Sequence, residues 1–181
     1  KEYLTGYFYF PKKFTRNVFD RLCLNGYYYI IEKLIKNKKF DANYQITRNL
    51  NECQFIEKPL YSAILNNHTN IFEFLLENSD VDINFILTIK SQKNEMNYSA
   101  SHIAIINNNL KILKLLFDQK KFNFNNISYE VYNLNDSDSV KVRKHAPIIF
   151  ATFVRCHEIV EYLLSSQKID VNAKFYLYKC Q

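Results

Sequence analysis

Four segments of this chain align with one another without a gap, and that self-similarity limits the possible folds more than any other feature. They run Val18–Asn43, Pro59–Asn84, Ala100–Asn125 and Pro147–Asn172, each 26 residues long, with starts 41, 41 and 47 residues apart. A unit of this size cannot bury its own apolar face, so successive units must stack and share a core. Each unit has the helical period. A short apolar run, such as Leu60, Ala63, Ile64 or Ile148, Ala151, Thr152, precedes a break at Asn25-Gly26, Asn66-Asn67 or Asn107-Asn108-Asn109. A second run then reads Ile71, Phe72, Leu75, Leu76, repeated as Ile112, Leu113, Leu116, Phe117 and Ile159, Val160, Leu163, Leu164, the stripe of an amphipathic helix. The pattern predicts two antiparallel helices per unit. Ala63, Ala104 and Ala151 let neighbouring helices approach closely, whereas Leu22 at the equivalent place predicts looser packing in the first unit.

With 22 asparagines and two glycines in the chain, turns that need positive φ are expected to fall on Asn. Arg155 stands where Gly26, Asn67 and Asn108 stand in the other units, so the last turn must either differ or carry strain.

The repeats resemble the ankyrin repeat family over about residues 18–174. The family's Thr-Pro-Leu-His opening is met loosely by Lys58-Pro59-Leu60-Tyr61, Ser99-Ala100-Ser101-His102 and Ala146-Pro147-Ile148-Ile149. Its middle and end are met better, by Asn67-His68-Thr69-Asn70-Ile71 with Phe74-Leu75-Leu76, by Glu158-Ile159-Val160-Glu161-Tyr162-Leu163-Leu164, and by Asp170-Val171-Asn172-Ala173. Asn43, Asn84, Asn125 and Asn172 close every unit in register. The units are longer than the family's period of about 33 residues. They carry connectors of 15 residues at 44–58 and 85–99 and of 21 at 126–146. The resemblance implies an all-α fold, an ankyrin-like helical-repeat solenoid with long connecting loops or short β-hairpins. In the family these connectors are projecting fingers, and the third, with Asn135-Asp136-Ser137-Asp138-Ser139 at its middle, is expected to have a mobile tip. Residues 1–17 are the expected N-terminal cap, and 173–181 either a C-terminal cap or the start of a fifth unit. The start at Lys1 instead of methionine suggests a piece of a longer polypeptide.

Composition narrows the function class. Hydrophobic residues make up 48% and aromatics 16%, too much apolar surface for a disordered chain. No apolar run reaches the roughly 20 residues of a membrane span, and no signal segment opens the chain. Cys23, Cys53, Cys156 and Cys180 are scattered without a C-x-x-C pair, which fits free thiols in a reducing compartment. A soluble, cytoplasmic protein is expected, with association to the cytoskeleton under the second reading below. The net charge of +6 lies in residues 1–50, which hold 10 Lys+Arg and 4 Asp+Glu, while 51–181 hold 14 of each. The basic patch is Lys12, Lys13, Arg16, Lys36, Lys38 and Lys39, to which Lys33 adds, and it would attract an acidic partner. A lysine cluster at a helix end also simply complements the helix dipole.

Nothing announces an enzyme. G-x-x-x-x-G-K-[ST], G-x-G-x-x-G and H-E-x-x-H are absent, and two glycines cannot build a phosphate-cradling loop. No catalytic residue, cofactor, small-molecule substrate or metal site is assigned. Cys156-His157 beside His145 lacks a fourth zinc ligand, and its adjacent residues point to different helix faces. The resemblance gives His68 and His102 a structural role, tying hairpin and helices together. Tyr27-Tyr28-Tyr29 and Lys33 to Lys39 fall at opposite ends of one helix and make no continuous nucleic-acid groove.

In ankyrin repeats the two residues before the interhelical turn face the concave surface and contact partners. Here those pairs are Leu24/Asn25, Leu65/Asn66, Ile106/Asn107 and Phe153/Val154. Leu24, Leu65, Ile106, Phe153 and Val154 would form an apolar stripe, buried either by a partner or by the fingers folding over it. The expected function is a non-enzymatic protein-interaction module, a scaffold or adaptor whose stripe supplies the anchors. Finger residues around Ile86–Asn97 and Tyr129–Val142 would set selectivity. The second reading is a structural subunit built into a larger intracellular or cytoskeletal assembly around an acidic protein.

Overall fold

A computed structural model of the chain describes residues 12–37, 41–50, 52–133, 140–170, 172 and 176–180. The four units become four helix pairs: α1 (Lys12–Asn25) with α2 (Tyr28–Lys36), α3 (Pro59–Leu65) with α4 (Thr69–Asn78), α5 (Ala100–Ile106) with α6 (Leu110–Asp118), and α7 (Pro147–Phe153) with α8 (His157–Ser165). Proline opens α3 and α7, where its missing N–H leaves no bond unmade. Helix α1 begins six residues before the first unit, so part of the expected cap is helical extension. Residues 1–11, the rest of that cap, lie outside the described residues.

Each first helix ends in the same hydrogen-bonded turn. The backbone N–H groups of Tyr27, His68, Asn109 and Cys156 return to the carbonyls of Leu22, Ala63, Ala104 and Ala151, five residues earlier, at 2.8–3.0 Å. This closure requires a left-handed residue one place before the returning N–H. Gly26 (φ 78°), Asn67 (62°), Asn108 (49°) and Arg155 (60°) provide it. The last turn therefore does not differ from the others, and Arg155 carries the strain. Asparagine tolerates this conformation better than other L-residues, which accounts for its place in the middle two turns.

The pairs stack in order, with α3 between α1 and α5, α5 between α3 and α7, and α4 between α2 and α6. Ile31, Phe72, Leu75, Leu113, Leu116, Ile159 and Leu163 are fully buried in the resulting core. At about 1.5–3 kcal/mol for each such side chain, stacking is the main source of stability. Ala63, Ala104 and Ala151 are completely buried as expected; Leu22 is buried too, and its burial shows no loosening of the first unit.

The asparagines that close the units hold the stack together at its base. In each D/N-x-N the first side chain accepts from the backbone N–H of the closing asparagine, Asp41 from Asn43 at 2.8 Å, Asp82 from Asn84 at 3.1 Å, Asn123 from Asn125 at 3.2 Å and Asp170 from Asn172 at 2.9 Å. The closing asparagine then reaches the next unit. Asn43 accepts from Asp82 N at 2.6 Å and donates to Asp80 O, and Asn84 accepts from Asn123 N at 2.8 Å and donates to Lys121 O at 2.7 Å. Asn125 accepts from Asp170 N at 3.4 Å. A side-chain amide, donor and acceptor at once, is the group that can bridge a backbone in this way.

The connectors correct the all-α expectation. They form β1 (Ile46–Leu50) with β2 (Cys53–Glu57), β3 (Leu87–Lys90) with β4 (Asn94–Tyr98), and β5 (Ser128–Asn133) with β6 (Val140–His145). Short hairpins are the form the resemblance allows, and these hairpins also pair with one another. With β7 (Tyr176–Cys180) they make one antiparallel seven-stranded sheet in sequential order. The stack itself supplies the reason. Ile46↔Glu57, Leu87↔Tyr98 and Ser128↔His145 are equivalent pairs at the finger bases, so each finger leaves its unit at the same height. Neighbouring strands thereby meet in register, at Phe55↔Ile89 and Met96↔Glu130. Pairing satisfies backbone groups that isolated fingers would leave to water. The middle of the third finger, residues 134–139, lies outside the described residues. In the 173–181 segment, 176–180 is strand β7.

Candidate partner-binding surface

The sheet has two unlike faces. One carries the cross-strand row Thr47, Ile56, Thr88, Asn97, Tyr129, Lys144, and beside it Gln54, Lys90 and Glu95. The other carries Arg48, Phe55, Ile89, Met96, Glu130 and Arg143. This second face turns toward the first helices: Tyr98, His102 and His145 surround the ring of Phe150 at centroid distances of 6.1, 5.2 and 5.8 Å. Phe55, Ile89 and Met96 on it are half-buried apolar residues that sequence reasoning did not select. The alternation Leu87-x-Ile89 and Met96-x-Tyr98 was their only signal, and polar neighbours obscured it.

The five expected stripe residues differ in exposure. Leu24 and Leu65 are half-buried, and Leu65 packs against the core. Ile106 is 50% exposed, Val154 37% and Phe153 71%. The exposed stripe thus begins at α5 and widens at α7, where the ring of Phe153 lies 6.2 Å from that of His145. Among the described residues the fingers leave Ile106, Phe153 and Val154 open. Of the paired asparagines, Asn25 and Asn66 are exposed, while Asn107 turns back and donates to Ile64 O at 2.6 Å and Leu65 O at 3.2 Å. Asn107 is thereby a bond between units.

A polar cluster underlies the exposed part of the stripe. His102 Nε2 donates to His145 O at 3.0 Å, and its Nδ1 accepts from Ser99 Oγ at 2.7 Å, so both nitrogens of the neutral ring are used. Burial pushes its pKa down to about 3. Tyr98 Oη donates to Glu130 at 2.9 Å, and His145 Nε2 lies 3.8 Å from the same carboxyl group. His102 therefore ties finger to helix, and His68 ties unit to unit by donating to Leu24 O at 2.9 Å. Cys156 repeats the second tie, its thiol reaching Ile105 O at 3.4 Å. His157 is exposed on α8. Among the described residues no group of three His, Cys, Asp or Glu side chains is placed to hold a metal ion, and no helix is long and apolar enough to cross a membrane.

The basic patch lies only partly within the described residues. Lys12, Lys13 and Arg16 fall on the first two turns of α1, and Lys38 and Lys39 lie outside the described residues. Lys36 is exposed, but its ammonium is 2.7 Å from Glu32, and that bond raises its pKa. Lys33 stands over the Tyr29 ring at 4.5 Å.

The family model for ankyrin repeats, in three copies, matches residues 19–128 and 86–175. No curated protein matches the chain. Four helix pairs with left-handed turns, fingers rising from every junction and a family match across nearly the whole of the stack lead to one assignment: the chain belongs to the ankyrin repeat family.

Proposed function

We propose that this chain is a non-enzymatic scaffold or adaptor that binds a protein partner through its concave surface. Ankyrin repeats generally mediate protein–protein interaction. The observation that carries the reading is the exposure of Ile106 and Phe153, 50% and 71%, on the helix surface that faces the apolar side of the finger sheet. Two large apolar side chains left open at the ends of α5 and α7 offer a partner apolar anchors, with polar finger residues as a rim. Leu24 and Leu65 extend the stripe with smaller contact area, and Val154 borders its wide end. Residues around Ile86–Asn97 and Tyr129–Val142 supply the rim.

The acidic-partner reading, a subunit built into a larger assembly, draws less support because Glu32 already accompanies Lys36.

The test is cross-linking mass spectrometry on the native protein in its own cells, followed by affinity measurement with the partner so found. Ile106→Asp with Phe153→Asp is expected to abolish binding at unchanged helical content, since both side chains are largely in water. Undiminished affinity in that variant would remove the concave surface from the function.

A further inference from the structure

The third residue of the second and of the third unit ties its first helix to a finger base. Tyr61 donates to Phe85 O, and His102 donates to His145 O at 3.0 Å. At the first junction the same positions are charged. Asp20 of α1 stands where Tyr61 and His102 stand, and Glu57 of β2 where Tyr98 and His145 stand. Glu57 and Ser62 are completely buried, and Asp20 is 3% exposed. Arg48 of β1 meets both carboxylates, Glu57 through Nη2 and Asp20 through Nη1 at 3.8 Å. Ser62 of α3 sits between the carboxyl groups, donating to Asp20 at 2.5 Å and standing 3.5 Å from Glu57 Oε2.

One guanidinium cannot neutralise two carboxylates in a dry site, and one hydroxyl proton cannot serve both. Given to Asp20, the Ser62 proton leaves an oxygen lone pair toward Glu57 Oε2. A proton on Glu57 completes the chain from Glu57 through Ser62 to Asp20 and leaves the cluster neutral. We propose that Asp20, Arg48, Glu57 and Ser62 form a proton-operated latch that fastens the first helix pair and first finger to the second helix pair, tight when Glu57 is protonated and loosened when it is not. Burial raises the Glu57 pKa from 4.5 to about 7, against the opposing pull of Arg48, and the Asp20 charge adds to the rise.

The other groups near the cluster are accounted for. Cys23 of α1, whose thiol is pushed up by burial and by Asp20, stays neutral. Lys58, next in sequence to Glu57, is held by Asp82 at 2.8 Å. Strand β3 contributes Ile89 beside Phe55. The sign follows from the raised pKa: the folded state holds a proton that the unfolded chain releases above 4.5. The latch's stabilisation is therefore complete below that value and lost as pH rises through about 7. Unit one carries Leu24, so contacts a partner makes there weaken as the solution turns alkaline.

Native-state hydrogen exchange on the full chain tests this, because it reads the first junction separately from the rest. Between about pH 5.5 and 8.5, after correction for intrinsic exchange, protection of β1, β2 and α1 amides should fall on the order of 30-fold relative to α5 and α6. Glu57→Gln should keep the high protection at both ends of the range. A fall of the same size in the variant, or an equal fall in every unit, would overturn the latch. The carboxyl carbon of Glu57, followed by NMR in the unsubstituted protein, gives a reading that needs no variant to fold. A midpoint near neutrality supports the proposal, and one in the ordinary carboxylate range refutes it.

Discussion

Alanine at Gly26 tests the turn geometry that all four units share. Gly26 has φ 78°, a conformation that costs an L-residue about 1–2 kcal/mol. A Cβ built there stands 2.8 Å from His68 Cε1 and 3.0 Å from Nδ1, so the imidazole must shift. That ring bonds unit two to unit one through Leu24 O at 2.9 Å, and losing the bond costs about 1 kcal/mol net. Alanine also removes about 0.4–1 kcal/mol of conformational freedom from the unfolded chain, which offsets part of the loss. The net destabilisation is about 2 kcal/mol, measured as a lower urea midpoint at unchanged slope. His68→Ala alone should cost about 1 kcal/mol. In the double variant there is no ring to displace, so its loss should match that of Gly26→Ala instead of the sum, a coupling of about 1 kcal/mol. Simple additivity would show that the ring is not what alanine meets. A Gly26→Ala loss below about 0.5 kcal/mol would refute the turn argument as a whole.

Arg155→Gly is expected to act in the opposite direction, because Arg155 at φ 60° carries strain that glycine lacks; a gain of about 0.5–1 kcal/mol in urea unfolding is predicted, and a loss would mean that the arginine side chain holds the turn. His102 is completely buried, and loss of hydration of its charged form lowers its pKa from 6.5 to about 3 on folding. Stability of the third and fourth units is therefore present above 6.5 and lost as pH falls, by about 3 kcal/mol near pH 4. Residue-level hydrogen exchange measures this, and flat protection of the α5 and α7 amides across that range would refute it.

The helix stack was legible because every unit writes its core twice. Ile71, Phe72, Leu75, Leu76 and their equivalents specify a buried face, and Gly26, Asn67 and Asn108 specify where the chain must reverse. The closing asparagines were legible as a recurrence but not as a ladder, since their partners are backbone atoms some 40 residues away, which no residue pattern records. The continuous sheet was hidden for a similar reason. Its strands hold Asn, Gln, Lys and Glu among few apolar residues, so intrinsic preference is weak. Their pairing follows from the common height at which Glu57, Tyr98 and His145 leave the helices. The stripe positions were readable along the chain, but their unequal exposure was not, because Leu65 packs on the core and Asn107 binds the carbonyls beside it. The pair that Lys36 makes was readable: Glu32 stands four residues before Lys36, the favourable order on a helix.

Two of these side chains give the stack opposite pH responses at its two ends. Glu57 makes the first junction firmer in acid, and His102 makes the third and fourth units firmer above 6.5. Between about 4.5 and 6.5 the two slopes oppose each other, so a global melting curve would show little pH dependence and conceal both. Cooperativity in a solenoid passes chiefly between neighbours, and among the described residues the helices of unit one pack on those of unit two and α7 of unit four on α5 of unit three. The responses can therefore remain separate, with unit one released first in base and unit four first in acid. Exposed Phe153 belongs to the end that acid loosens, and Leu24 to the end that base loosens. A partner spanning the whole stripe would consequently bind most tightly between about 4.5 and 6.5, and its affinity would fall on either side for structurally distinct reasons.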